Sequence, residues 1–430
     1  MFYILEKQDQ LDKLGPFNDC YIEFIQYNDN YHPKLCDLSL IYIRDLAEHK
    51  GYMLCLDHNE SFQLHWDNVE AWLLDNTHKL FVLNKKQALY HFPHEDKLFD
   101  INFIKIIKFS TELPVIKHYY RSNYPAVNKL IPISKHYEKC ELTFSSILPT
   151  IREFRADDAV YAFNNGPLTR VFQQIESTGI KIDKQCFIDC YGEDLQHPEY
   201  SISKGRIYSH YNLHTTTGRP SNSYNSINFA ALNKTNGERL CYRPLNDMFI
   251  EFDIQGYHPR LIGELVDFHF PKEVSTYEYL GELLGVDAQA AKELTFKQLY
   301  GGVWKEYKDK PFFEDVVSYV NNTWEEFNKS SQIICKNKIF TPDNTEDINS
   351  YKLFNYIIQS YETSTNVIIL ERILDYLKNK QTKLVLYVYD SILLDFAKTD
   401  GKETLLTIQS MINYPVNIKQ GKTYHGLEKL

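Results

Sequence analysis

Residues 384–396 constrain this chain more than any other stretch. They read Leu-Val-Leu-Tyr-Val-Tyr-Asp-Ser-Ile-Leu-Leu-Asp-Phe, apolar almost throughout, with Asp390 in the middle. Both halves are β-rich and meet at Tyr389-Asp390-Ser391, so the pattern predicts a hairpin with the acid at its turn. A carboxylate flanked by buried strands costs free energy unless something cationic compensates it. An ordinary turn aspartate with a satisfied side chain would read the same way. A second acid in a like setting shifts the balance. Ile250-Glu251-Phe252-Asp253-Ile254 is another apolar strand, with Asp253 at its end. Two strand-end aspartates far apart in sequence can hold two divalent ions for in-line phosphoryl displacement.

The chain has 430 residues, of which 43% are apolar. That is enough for two domains with their own cores; the expected division is 1–150 and 151–430. The formal net charge is −10. A nucleic-acid enzyme need not be basic overall, but its groove must be locally basic. The acidity therefore weighs mildly against such a partner without excluding it. The eight cysteines are scattered, with no C-x-x-C. Cys186 and Cys190 lie four apart, and no second pair at zinc spacing follows. They read as buried or free thiols in a reducing compartment such as the cytoplasm. Residues 1–14 mix acid and base, unlike a signal or transit peptide, and no run approaches a membrane span.

Along residues 1–150, short strands are expected at 21–25, 38–43, 51–56 and 79–83, with helices at 67–74 and 102–107. This suggests an α/β domain with a mixed sheet. A boundary is expected near 140–165, at the turn-rich Ala156-Asp157-Asp158 and Asn164-Asn165-Gly166-Pro167. Leu168, Val171, Phe172 and Ile175 then recur at helical spacing, with Gly179 as the stop. His214-Thr215-Thr216-Thr217-Gly218-Arg219-Pro220-Ser221 follows, with Asn225 and Asn228 just beyond. Hydroxyls, amides, one Gly and one Arg suit close approach to a sugar–phosphate backbone or a minor-groove edge. A polar surface loop is the commoner use of such a run.

After Asp253 comes Tyr257-His258-Pro259-Arg260. Residues 288–300 read as a helix on which Lys292, Phe296 and Tyr300 line one face. A cation, a ring and a phenol in that order can meet a triphosphate, a sugar and a base; a core-facing helix with a snorkelling Lys is the alternative. Lys292, Lys297, Lys305, Lys308 and Lys310 make this the most basic neighbourhood. A long helix is expected at 350–379, where Asn355 and Gln359, one turn apart, could reach base edges or simply be solvated. Val416-Asn417-Ile418-Lys419 is expected to close the chain as an edge strand.

Taken in order, residues 165–430 resemble a family A DNA polymerase. Pro167 to Asp183 is similar to the entry segment before the thumb of that family, and Thr217-Gly218-Arg219 with Asn225 and Asn228 to its T-G-R motif. Asp253 and Arg260 match motif A. Lys292, Phe296, Tyr300 and Gly301 match the K-x-x-x-F-x-x-x-Y-G of motif B. Asn355 and Gln359 resemble the N-x-x-x-Q pair, and Val388-Tyr389-Asp390-Ser391 stands where the family has V-H-D-E.

The resemblance implies an α+β fold with an antiparallel palm sheet and helical fingers. It also implies an N-terminal α/β ribonuclease H-like (exonuclease-like) domain over 1–150, and template-directed deoxynucleotide addition to a primer 3′-hydroxyl. Asp253 and Asp390, with the Ile254 carbonyl, would hold two Mg²⁺ ions, for which Mn²⁺ can substitute. Lys292, Phe296, Tyr300, His258 and Tyr257 would bind the dNTP. Arg219, Thr217, Asn225, Asn228, Asn355, Gln359 and Tyr389 would bind the primer–template DNA.

The departures from the family are equally specific. His258 replaces the motif A glutamate, Ala288 a motif B arginine, Tyr351 the arginine expected before Asn355, and Ser391 the motif C glutamate. Asp395 is then a poorly placed third carboxylate. The interval 183–217 is short for a thumb, which implies weak grip on DNA and an accessory or processivity partner. The D-x-E that opens an exonuclease domain is reduced to Tyr21-Ile22-Glu23, which implies little editing activity. The compact size resembles phage-encoded enzymes. A single-subunit RNA polymerase and a non-catalytic nucleic-acid-binding module remain as alternatives.

Overall fold

The structure is a computed structural model. It describes residues 2–28, 32–48, 50–61, 64–107, 128–155, 158–193, 200–222, 226–235, 237–271, 274–345 and 347–430. Asn225, a candidate DNA contact, and Ala156 and Asp157 of the expected boundary lie outside the described residues.

The first sheet is built from β1 (Phe2–Leu5), β2 (Phe17–Gln26), β3 (Leu38–Asp45), β4 (Gly51–Cys55), β5 (Thr77–Val82) and β6 (Leu98–Asp100). Their order is β1-β4-β3-β2-β5-β6. β2, β3 and β4 form an antiparallel meander, and β5 and β6 add parallel to β2. Strand alternation sends successive side chains to opposite faces. Ile22 therefore joins the apolar layer with Trp72 of the helix Trp66–Asn76, while its neighbour Tyr21 packs with Phe144 of the helix Ile133–Arg152.

The helix Thr169–Thr178 ends at Gly179, whose φ of +67° is the left-handed conformation that glycine tolerates. The chain then forms β7 (Ile180–Ile182), β8 (Ile202–Ser203) and β9 (Arg206–Ile207), followed by the pair β10 (Tyr211–Asn212) and β11 (Ser221–Asn222), and β12 (Tyr242–Arg243). β7, β8, β9 and β12 make a small sheet ordered β12-β7-β9-β8. Among the described residues of 183–217, the one α-helix is the eight-residue Lys184–Tyr191.

β13 (Met248–Ile254) is the middle strand of the last sheet. A two-strand finger of β14 (Ile333–Ile334) and β15 (Ile339–Phe340) precedes the long helix Ser350–Leu377. The expected hairpin is β16 (Lys383–Val388) and β17 (Ser391–Phe396), and β18 (Val416–Gly421) and β19 (Glu428–Lys429) finish the sheet. The order is β16-β17-β13-β18-β19, antiparallel throughout. The expected edge strand is therefore interior: β18 lies between β13 and the short β19. Phe252, Ile254, Leu384 and Leu386 pack against Phe172 and Leu370 in the largest core. A separate helical layer, Tyr257–Leu265, Thr276–Leu284, Ala288–Gly301 and Phe313–Ser330, has its own core around Leu280, Leu299, Phe312 and Val316.

A buried charge cluster joins the first sheet's side of the molecule to the rest. Lys86 ion-pairs with Glu176 on the helix Thr169–Thr178, and both side chains are almost fully enclosed. Tyr90 donates its hydroxyl to the same carboxylate at 3.2 Å, and the Tyr211 N–H donates to it as well. Burial alone would push the Glu176 carboxyl up. Lys86, then His210 and His32, overcome that and hold it at about 2.

Candidate active site

The register of the last sheet determines what meets. Asp253 stands opposite Ser391 of β17, and the Ile254 N–H donates to the Asp390 carbonyl at 2.9 Å. The two aspartates, distant in sequence, thus come together. On β13, Glu251 and Asp253 are two residues apart and share a face, while Phe252 and Ile254 point into the core. Opposite Glu251 on the other side is Lys419 of β18. The hairpin turns in two residues, Tyr389 and Asp390, and Tyr389 has φ +57°. That is the left-handed region, normally given to Gly or Asn in such turns.

These side chains form one charged network. Lys419 Nζ lies 2.6 Å from Asp253 Oδ2 and 3.0 Å from Glu251 Oε2. Ser391 donates its hydroxyl to Glu251 Oε1 at 2.9 Å. Burial would lower the Lys419 ammonium, but hydrogen bonds and charge from Asp253 and Glu251 raise it above its usual value. The Asp390 carboxyl is raised, first by the protein packed around it and next by the charge of Asp253. Two carboxylates, Asp253 and Glu251, thus share one ammonium, and the Asp390 carboxyl lies within the field of Asp253. An oxygen donor set with unmet negative charge fits hard divalent cations. Ile254 has its side chain in the core, so only its backbone could reach an ion.

Asp395 does not join this group, correcting its reading as a third carboxylate. It accepts from the Leu245 and Asn246 N–H groups at 2.8 and 2.9 Å, closing a turn at the far end of the strand. Glu251, which the sequence reading passed over, is the acid that shares Lys419 with Asp253.

The T-G-R loop packs on the long helix. Thr217 donates its hydroxyl to Gln359 Oε1 at 2.9 Å, and Gln359 donates to Asn355 Oδ1 at 3.1 Å. Gly218 has φ +75°, and an added Cβ would lie 2.8 Å from Asn337 Nδ2. The Arg219 guanidinium stacks on the Tyr389 ring at 3.6 Å to its centroid and pairs with the fully buried Glu362 at 2.8 and 3.0 Å. Arg219 therefore grips the strained turn that carries Asp390. Glu362 also went unnoticed in the sequence, although Asn355, Gln359, Glu362 and Asn366 form a polar stripe at helical spacing on that helix.

His258 bonds the Tyr300 hydroxyl through Nδ1, and its Nε2 lies 3.4 Å from Glu362. Phe296 and Tyr300 stack with centroids 5.8 Å apart. Lys292 is exposed, with Nζ 5.9 Å from the Tyr277 ring. The Tyr277 hydroxyl is pushed up to about 12 by burial and then by Asp390. The Lys292–Phe296–Tyr300 stripe thus borders the carboxylates through Tyr277 and His258. Tyr257 departs from its expected role. It is buried, and its hydroxyl donates to Asn366 Oδ1 at 2.7 Å, so it supports the site from beneath. Asn228 is exposed, and its carbonyl accepts from the Ala231 N–H; among the described residues no contact joins it to the T-G-R loop.

No family model matches the sequence, and no curated protein matches it. Among solved structures, the chain is similar to the POL domain of Pol1 from M. smegmatis, in complex with DNA primer-template and dNTP. The match has a TM-score of 0.71 at 12% identity and covers 98% of this chain and 99% of that one. Identity this low speaks for the fold and not for the role of any residue. From the first sheet to the last, the chain shares the fold of that POL domain.

Proposed function

We propose that this chain is a template-directed DNA polymerase that adds deoxynucleotides to a primer 3′-hydroxyl. The observation that carries the reading is the convergence of Asp253 and Asp390 on one face, bordered by the motif B stripe and by the Thr217–Gln359–Asn355 network. Asp253, Asp390 and Glu251 are the residues to hold divalent ions. Bound there, two such ions would lower the pKa of the primer hydroxyl and offset charge on the departing pyrophosphate. The chain's own residues do the positioning. Lys292, exposed on its helix, meets the triphosphate electrostatically. Phe296, His258 and Tyr300 form the aromatic wall against the sugar and base. Thr217, Gln359 and Asn355 present hydroxyl and amide groups to the minor-groove edge of the new pair. Arg219 acts through Tyr389, fixing the turn that aims Asp390. Residues 1–150 are read as an exonuclease-like domain without its metal carboxylates. In support, the meander β2-β3-β4 continues into the parallel β5 and β6, and the Glu23 carboxylate accepts from the buried Tyr21 hydroxyl at 2.6 Å.

Primer extension with Mg²⁺ tests the reading. Wild type should extend with dNTPs on a matched template, and Asp253→Asn and Asp390→Asn should not. Extension with rNTPs alone would point to an RNA polymerase, and template binding without extension in any buffer would sink the catalytic reading.

A further inference from the structure

We propose that Cys186, Cys190 and Cys241 form a second metal site, for a thiophilic cation of the zinc class, remote in kind from the oxygen-lined face of Asp253. The three sulfurs lie within 4.8 Å of one another, and the Sγ atoms of Cys186 and Cys241 are 3.0 Å apart. Sulfurs bound tetrahedrally to zinc at about 2.3 Å stand roughly 3.8 Å from each other. Small side-chain rotations would therefore bring all three onto one ion.

The backbone pre-arranges this. Cys186 and Cys190 are one turn apart on the helix Lys184–Tyr191, so they share a face. Cys241 ends a short 3-10 helix just before β12. Asp183 ties the two pieces together: its side chain accepts from the Cys186 N–H at 3.1 Å, and its own N–H donates to the Cys241 carbonyl at 2.7 Å. The pairing of Tyr242 with Ile182 continues that link into the small sheet.

Access is graded. Cys241 is fully buried, Cys186 is half-buried and Cys190 is exposed, which leaves an entry path and room for a fourth, non-protein ligand on the Cys190 side. Burial raises the Cys241 and Cys186 thiols, and thiols release protons when they take up a metal. Thiolate sets of this kind select soft or borderline cations over Mg²⁺. Bound there, the ion would clamp the helix Lys184–Tyr191 onto β7 and β12, where the described residues of 183–217 hold no other α-helix. C-x₃-C alone gave no sign of this, because the third sulfur comes 55 residues after the first.

The test is a Co²⁺ titration of the full chain, reduced and metal-free. One equivalent should give an intense sulfur-to-metal charge-transfer band with the visible bands of a tetrahedral ion, and Zn²⁺ should displace it. Cys190→Ser should weaken binding by about tenfold or more, while Cys335→Ser, outside the cluster, should leave it unchanged. Zn²⁺ should raise the melting midpoint of wild type and not of Cys190→Ser. Absence of the sulfur band, its survival in Cys190→Ser, or an intact mass two hydrogens light from a Cys186–Cys241 disulfide would each overturn the proposal. Oxygen ligation at Asp253 and Asp390 gives no sulfur band, so the result is independent of the polymerase reading.

Discussion

Asp390 is held in a form that costs stability. Its carboxyl is raised by the protein around it and by Asp253, so the folded state disfavours the charge relative to the unfolded chain. That cost is absent below the ordinary aspartate value of about 3.9, grows as pH rises through the folded value, and is complete above it. Asp390→Asn should therefore raise the melting midpoint of the metal-free protein at neutral pH, with no gain near pH 3.5, while abolishing primer extension. Lys419 makes the opposite kind of prediction. Its ammonium bridges Asp253 and Glu251, where a divalent ion would compete with it. Lys419→Met should tighten Mn²⁺ binding, measured by the loss of free-ion electron paramagnetic resonance signal, and Glu251→Gln should weaken it. Equal binding in both variants would remove Glu251 and Lys419 from the metal face.

At the scale of elements, the sequence was legible wherever the period was strong. The hairpin around Asp390, the Gly179 stop and the one-turn spacing of Asn355 and Gln359 all appear where the pattern put them. Periodicity reports which residues share a face, but not what stands across from it. Glu251 read as one polar residue in an apolar strand until β18 set Lys419 opposite. Tyr257 read as a pocket residue because nothing in the sequence revealed Asn366 beneath it. β18 read as an edge because β19 has only two residues. The meeting of the T-G-R loop with the long helix gives an element-level test. Gly218→Ala must place a Cβ in the left-handed region against Asn337. It should cost about 1–2 kcal/mol in denaturant unfolding and raise the apparent KM for primer–template more than that for dNTP.

At the scale of the whole molecule, the proposed polymerase has one α-helix among the described residues of 183–217 with which to grip a duplex. The helix Lys184–Tyr191 is short, and an extension assay with a DNA trap should give products of only a few added nucleotides per binding event. Long products from the isolated chain would remove the need for a partner. The two sides of the molecule should also be energetically inseparable. Lys86→Met leaves Glu176 buried without its counter-ion, which typically costs about 3–5 kcal/mol and should appear as a lowered urea midpoint for the entire chain. The same pair bears on how such a protein can be shortened. Glu176 receives the Tyr211 N–H, and the Tyr211 hydroxyl in turn bonds the Tyr387 carbonyl and N–H in the hairpin. Cutting away residues 1–150 would remove Lys86 and strand Glu176 without its counter-ion beneath Tyr211 and the hairpin, so the remainder should not fold on its own.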